Sequence, residues 1–120
     1  MVAIDPAHLV GTGGAIGALC RYYVGQRIQR EAFPLDVLTV NVLGSFVLGL
    51  VTFAEPGNDL ALFVGVGVCG SFTTFSSFSY ATVRSWEDGH RGRAIASAVG
   101  NLVGALAGIA VAWLLVRWLP

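Results

Sequence analysis

Four stretches of this chain, residues 6–20, 37–54, 60–83 and 94–116, contain no Asp, Glu, Lys or Arg. A hydrocarbon core about 30 Å thick takes roughly 17–25 residues of helix to cross. The last three stretches have that length. The first reaches it if Arg21 sits inside the helix end and snorkels its guanidinium to the interface. The lengths predict an all-α membrane protein with transmembrane helices over about 9–26, 38–53, 60–83 and 94–116. The links are short, so neighbouring helices must be antiparallel. Composition agrees: 55% of residues are hydrophobic and 12% charged, against roughly a quarter charged in a soluble domain.

Residues 1–120 read as one domain without linkers. Turns are expected around Glu31–Pro34 and Glu55–Asp59, and a polar loop over Ser85–Gly92. The formal net charge is zero, which argues against nucleic acid or a polybasic lipid patch. The N-terminus lacks a basic region, and three further spans follow the first, so a cleaved signal peptide is not expected. Cys20 and Cys69 lie in apolar runs outside any metal-spaced motif and read as small buried hydrophobes. His8 and His90 are solitary and expected at the interfaces. The chain has no Lys for a phosphate loop, no H-E-x-x-H and no nucleophile elbow, so it is not read as an enzyme. Gly65-Val66-Gly67-Val68-Cys69-Gly70 matches G-x-G-x-x-G. That fingerprint needs a strand–turn–helix unit, and these glycines sit inside an apolar span.

Sixteen glycines need a reason. In lipid, small residues let helix backbones approach closely. Gly13 and Gly17 form one G-x-x-x-G pair; Gly100, Gly104 and Gly108 form a double one. Packing accounts for them, within or between subunits. The segment from Gly70 to Ser79 is more informative, because six of its ten residues carry hydroxyls. Interleaved with Phe72, Phe75 and Phe78, they predict a break in the third helix. Membranes tolerate a break only where the backbone lines a cavity or is buried in protein. Such a break exposes carbonyls for a cation and amides or hydroxyls for an anion. Phe75 and Phe78 share a helix face, and their positive ring edges can solvate a small anion; packing is the other reading, and the residues leave both open. Asn41 places an amide in the second span. Ser97 and Asn101 share a face of the fourth. A carboxylate deep in a span, which a proton-coupled exporter needs, is absent. The groups point to a passive pathway lined by hydrogen-bond donors.

These residues resemble the small fluoride channels known as Fluc or CrcB. The resemblance rests on Gly13-Gly14-Ala15-Ile16-Gly17-Ala18 with Arg21-Tyr22, Pro34, Val40-Asn41-Val42-Leu43-Gly44-Ser45-Phe46, and Thr73-Thr74-Phe75-Ser76-Ser77-Phe78, in that order over nearly the whole chain. It implies an antiparallel dimer with two fluoride pores along the subunit interface. It implies that Asn41 lines the pore, that Phe75 and Phe78 flank fluoride, and that Thr74, Ser76 and Ser77 are the polar surroundings of the break. Ser97 and Asn101 fall where the family has polar pore residues, and Arg21 matches its first-helix arginine, at a vestibule or as an interfacial anchor. It also implies a structural sodium ion held by the backbone carbonyls of Gly70 and Thr73. Two departures stand out: Ser71 replaces a usual glycine, which could alter the break, and Ala81 replaces a usual glutamate. The function implied is passive export of cytoplasmic fluoride. A small multidrug exporter, which would need an intramembrane carboxylate, and a non-conducting accessory subunit are the alternatives.

The basic residues are unevenly placed. With four spans, Arg117 alone lies on the side of the termini. Arg27, Arg30, Arg91 and Arg93, with Arg21 and Arg84 at helix ends, lie on the other. Positive-inside bias then puts both termini outside the cell. A fixed orientation suits pairing with a paralogue of opposite bias, besides antiparallel pairing with itself.

Overall fold

The computed structural model describes residues 3–28 and 32–119. Arg30 and Glu31, which the sequence places in the first turn and the arginine-rich side, lie outside the described residues. Among those described, every regular element is helical. Helix α1 spans Pro6–Arg27. Its first turn is closed by Asp5, whose Oδ1 accepts from the Ala7 amide at 2.8 Å, and Pro6 stands where a missing N–H costs nothing. Helix α2 spans Leu35–Ala54. It ends on Glu55 in the left-handed region (φ 48°), and Gly57 (φ 109°) completes the turn. A long helical stretch follows: α3 (Asn58–Leu60), a π-wound segment (Ala61–Cys69) and α4 (Gly70–Phe72). Thr73 is extended (ψ 160°) and interrupts it before α5 (Ser76–Glu87). After a turn through Gly89 (φ 87°), α6 spans Arg91–Trp118.

Three stretches, Leu35–Ala54, Asn58–Glu87 and Arg91–Trp118, are long and apolar enough to cross a membrane. Helix α1, rich in glycine and carrying Arg21, is less apolar. The longest dimension, 58 Å, exceeds the roughly 30 Å hydrocarbon core. Among the described residues the buried apolar side chains are few and mostly small: Val37, Val40, Cys69, Phe72, Ala94 and Ala112. Leu19, Leu102, Leu106 and Ile95 are exposed. Large apolar side chains outside and small ones inside is the arrangement a lipid solvent permits. Cys20 belongs to the outside: it is exposed, and only Cys69 is buried as expected. An apolar run says that a thiol avoids water, not whether protein or lipid covers it. Arginines lie over aromatic rings near helix ends, Arg27 on Tyr23 at 5.1 Å, Arg91 on Trp86 at 4.9 Å and Arg117 on Trp113 at 4.9 Å, as at membrane interfaces.

The glycine patterns act within the chain. A Cβ on Gly13 would collide with the Phe63 carbonyl and one on Gly17 with that of Val68, while one on Gly67 would stand 2.9 Å from the Gly13 Cα. So α1 and the π segment run in the same direction, backbone against backbone. Helix α6 meets α2 likewise: a Cβ on Gly104 would lie 2.7 Å from Val42 Cγ2, and one on Gly108 3.1 Å from the Val42 carbonyl oxygen. Gly17→Ala should therefore destabilise the detergent-solubilised protein by about 1–3 kcal/mol, because a backbone must move. Gly11→Ala, whose Cβ meets nothing within 4 Å, should stay within about 0.5 kcal/mol of wild type. Thermal melts of the two variants check this; equal midpoints would overturn the close-packing account.

Candidate functional site

The break is built by hydrogen bonds that replace the helical ladder. The Cys69 carbonyl accepts from both the Thr73 amide and Thr73 Oγ1, each at 3.0 Å, which closes the last turn of α4. The chain then turns outward at Thr73. Asn41 reaches across from α2 to the next residue. Its Oδ1 accepts from the Thr74 amide at 2.8 Å, and its Nδ2 donates to the Thr74 carbonyl at 3.0 Å. The second Nδ2 hydrogen goes to Asn101 Oδ1 on α6 at 2.9 Å. Asn101 Nδ2 donates in turn to the Ser97 carbonyl at 2.8 Å. On the far side of the break, Thr74 Oγ1 accepts from the Ser77 amide at 3.1 Å, capping the first turn of α5. Arg21 Nη2 donates to Ser77 Oγ at 2.7 Å. Space for all this comes from α2, where a Cβ on Gly44 would collide with Thr73 Cγ2.

Two carbonyls lose their ordinary partners in this exchange. In an unbroken helix the Gly70 carbonyl would accept from the Thr74 amide, which goes instead to Asn41. The Thr73 carbonyl would accept from the Ser77 amide, which goes instead to Thr74 Oγ1. Among the described residues no other hydrogen bond to either carbonyl is formed.

Beside the break runs an open groove of about 590 Å³. It brings together Asn41, Thr74, Phe75, Phe78 and Asn101 with Gly70 and Thr73. Phe75 is 80% exposed, and its ring lies 5.8 Å from that of Phe78 at an interplanar angle of 49°. The remaining predicted site residues lie around it. Ser76 is exposed, 3.4 Å from Thr74 Oγ1. Ser77 is tied to Arg21, which lines a separate recess with Asp36 and Val40. Ser97 is fully buried behind Asn101, and its hydroxyl has no partner among the described residues. Gly44 and Ser45 also line the groove. They were not singled out from sequence, although three and four positions after Asn41 puts them on its helix face.

The groove's polar groups are neutral. It contains donors, hydroxyls, ring edges and backbone carbonyls but no carboxylate. No cluster of three metal-ligating His, Cys, Asp or Glu occurs among the described residues. Donors and ring edges suit an anion, and bare carbonyls suit a hard monovalent cation. Of the departures, Ser71 points away from the break: its Oγ would lie 3.1 Å from a Cβ on Gly14 of α1.

Residues 8–113 match the family described as CrcB-like protein, Camphor Resistance (CrcB). The chain is 64% identical over 117 residues, 98% of each chain, to a protein of Haloarcula marismortui named fluoride-specific ion channel FluC 2. It is 46% identical over 111 residues to fluoride-specific ion channel FluC 1 of Halobacterium salinarum, covering 92% of this chain and 93% of that one. A Helicobacter pylori protein named fluoride-specific ion channel FluC is 36% identical over 114 residues, 88% of each. By this match over most of its length, the chain belongs to the CrcB family.

Proposed function

We propose that this chain is a multi-pass membrane channel, not an enzyme, that lets fluoride leave the cytoplasm passively. The observation that carries this is its likeness over nearly its full length to relatives named fluoride-specific ion channels. The groove supplies the chemistry. Fluoride enters cells from acid surroundings as neutral HF, which dissociates at cytoplasmic pH and leaves the anion trapped. A pathway for the anion alone then lowers its concentration without an energy source. An intramembrane carboxylate, which a driven exporter needs, does not line the groove.

The hard step is removing fluoride's tightly held water. Phe75 and Phe78 offer positive ring edges along the groove. Asn101 has an Nδ2 hydrogen that engages no described residue. Ser77, accepting from Arg21, keeps its own hydroxyl proton to give, and Ser76 is open to the ion. Thr74 shapes the wall, Ser97 lies behind it, and Arg21 biases the field toward anions. Asn41 lines the groove with both amide hydrogens engaged, so an ion taking one must displace Thr74 or Asn101. With α1 as a further span, the chain crosses four times. An antiparallel partner facing the groove would complete two pores. The Gly70 and Thr73 carbonyls, with their copies in the partner, would hold a sodium ion; their diverted amides support this. When bound, sodium would supply positive charge and fix the two breaks against each other.

The arginine asymmetry favours a second form of the assembly, in which this subunit pairs in cells with a paralogue of opposite orientation. Purified protein alone can still pair with itself.

Proteoliposomes loaded with fluoride test the channel: the purified protein should release it passively, and chloride far more slowly. Asn41→Asp places a negative charge in the path, and Phe75→Ile removes the ring edge. Each should cut fluoride efflux at least about a hundredfold, roughly 2.7 kcal/mol in barrier, with the dimer retained. Near-wild-type efflux from either dimer would reject these pore assignments. For the cation, a crystal structure of the dimer should contain density on its two-fold axis, with oxygens at about 2.3–2.5 Å as for a hard cation of that size. For orientation, a C-terminal reporter should be active only outside the cell; equal activity on both sides would refute fixed insertion.

A further inference from the structure

The two carbonyls proposed for sodium are freed by two side chains, and those side chains are not among the proposed ligands of the cation. The Thr74 amide, the natural partner of the Gly70 carbonyl, is held by Asn41 Oδ1 at 2.8 Å. The Ser77 amide, the natural partner of the Thr73 carbonyl, is held by Thr74 Oγ1 at 3.1 Å. We infer that Asn41 and Thr74 are positioning residues for the cation site: by capturing these amides they keep both carbonyls out of the helical ladder and available to the ion.

The chemistry is a competition for acceptors. A carbonyl bonded to a backbone amide in a low-dielectric interior must give up that bond, or share it, to coordinate a cation. Each captured amide removes one competitor in advance. The groups capturing them are well held. Asn41 is fixed at its other end by the Thr74 carbonyl and Asn101. Thr74 sits at the start of α5, where an oxygen acceptor for the first-turn amides is the favoured arrangement. The capture runs through different atoms from those offered to the anion: Asn41 contributes an acceptor oxygen here, whereas an anion would need its hydrogens. The capture by Thr74 is separable by substitution, because serine keeps the acceptor hydroxyl and valine removes it.

The inference rests on the sodium reading, and the experiment separates the two. Purified dimers of the full chain in detergent are titrated with sodium chloride against N-methylglucamine chloride at constant ionic strength, and the thermal midpoint is read. Wild type should be stabilised by sodium in a saturable way. Thr74→Ser keeps the capturing oxygen and should keep the sodium midpoint within about threefold of wild type. Asn41→Ala and Thr74→Val lose it and should need about tenfold more sodium, equivalent to about 1.4 kcal/mol. Thr74→Val preserves side-chain shape, so packing alone does not move it, and it carries the test if Asn41→Ala fails to assemble. Wild-type sodium midpoints in Asn41→Ala and Thr74→Val overturn the inference while leaving the sodium site standing. A wild type indifferent to sodium overturns the sodium site, and the inference with it.

Discussion

A single residue's peptide groups, those of Thr74, are held on both faces by one side chain, and the rest of the site depends on that pairing. Backbone N–H and C=O groups left without partners in hydrocarbon cost several kcal/mol each. Interrupting a membrane helix at Thr73 creates several at once. Asn41 answers for two of them with one amide, accepting from the Thr74 N–H and donating to its C=O. It does so across 33 residues of sequence, so the break is a property of the packed chain and not of the third helical stretch alone. Gly44 on the same helix keeps α2 close enough for the contact, and Asn101 fixes the amide's remaining hydrogen.

The position of the groove follows from how the helices are assembled. Backbone contacts at glycines join α1 to the π segment and α2 to α6, each pair running in one direction. Between the pairs, α2 meets the long interrupted stretch in the opposite direction, with Gly65 near Leu48 and Val51 at one end and Thr73 against Gly44 further along. Glycine lets backbones approach where side chains would hold them apart, and the Asn41–Thr74 bonds then cross from one pair to the other, while Asn41–Asn101 ties α2 to α6 within a pair. The groove opens beside this amide network of Asn41, Thr74 and Asn101.

Much of this was legible in the sequence, for identifiable reasons. Charges are expensive in lipid, so the uncharged runs marked the helical stretches to within a few residues: the fourth was expected over 94–116 and spans Arg91–Trp118. Hydroxyls gathered after Gly70 signalled the break, because hydroxyls can satisfy backbone groups that a helix no longer satisfies, and Thr73 is where the backbone turns extended. Spacing put Phe75 beside Phe78 and Asn101 one turn from Ser97, although Asn101 bonds the Ser97 carbonyl and not its hydroxyl. The partner of Asn41 was not legible. A lone amide in a span can bond any of its neighbours, and only the packed arrangement selects Thr74. For the same reason the glycine patterns announced close contacts without naming Phe63, Val68 or Val42 as the backbone and side chains they would meet. Cys20 was read as buried because hydropathy measures avoidance of water, and lipid meets that demand as well as protein does.

The departures at Ser71 and Ala81 affect the site differently. Ser71 directs its hydroxyl toward Gly14 of α1, where the absence of a side chain leaves room for it. The bonds that define the break, from Thr73 to the Cys69 carbonyl and from Asn41 to Thr74, are therefore undisturbed. Ala81 acts through charge. It lies on α5 beyond the break, and the ionic pair on that side, Arg84 with Asp88 at 3.3 Å, is exposed to solvent and largely self-compensating. Among the described residues Arg21 is then the one charged side chain hydrogen-bonded to the break, through Ser77. Alanine at 81 adds no carboxylate on α5, but Asp36 of α2 lines the same recess as that guanidinium. The guanidinium is therefore not an isolated charge, because the Asp36 carboxylate in the same recess offsets part of its field. At the break itself the groups are neutral and of both signs: the first turn of α5 presents amides, whereas the Gly70 and Thr73 carbonyls that line the groove present oxygen.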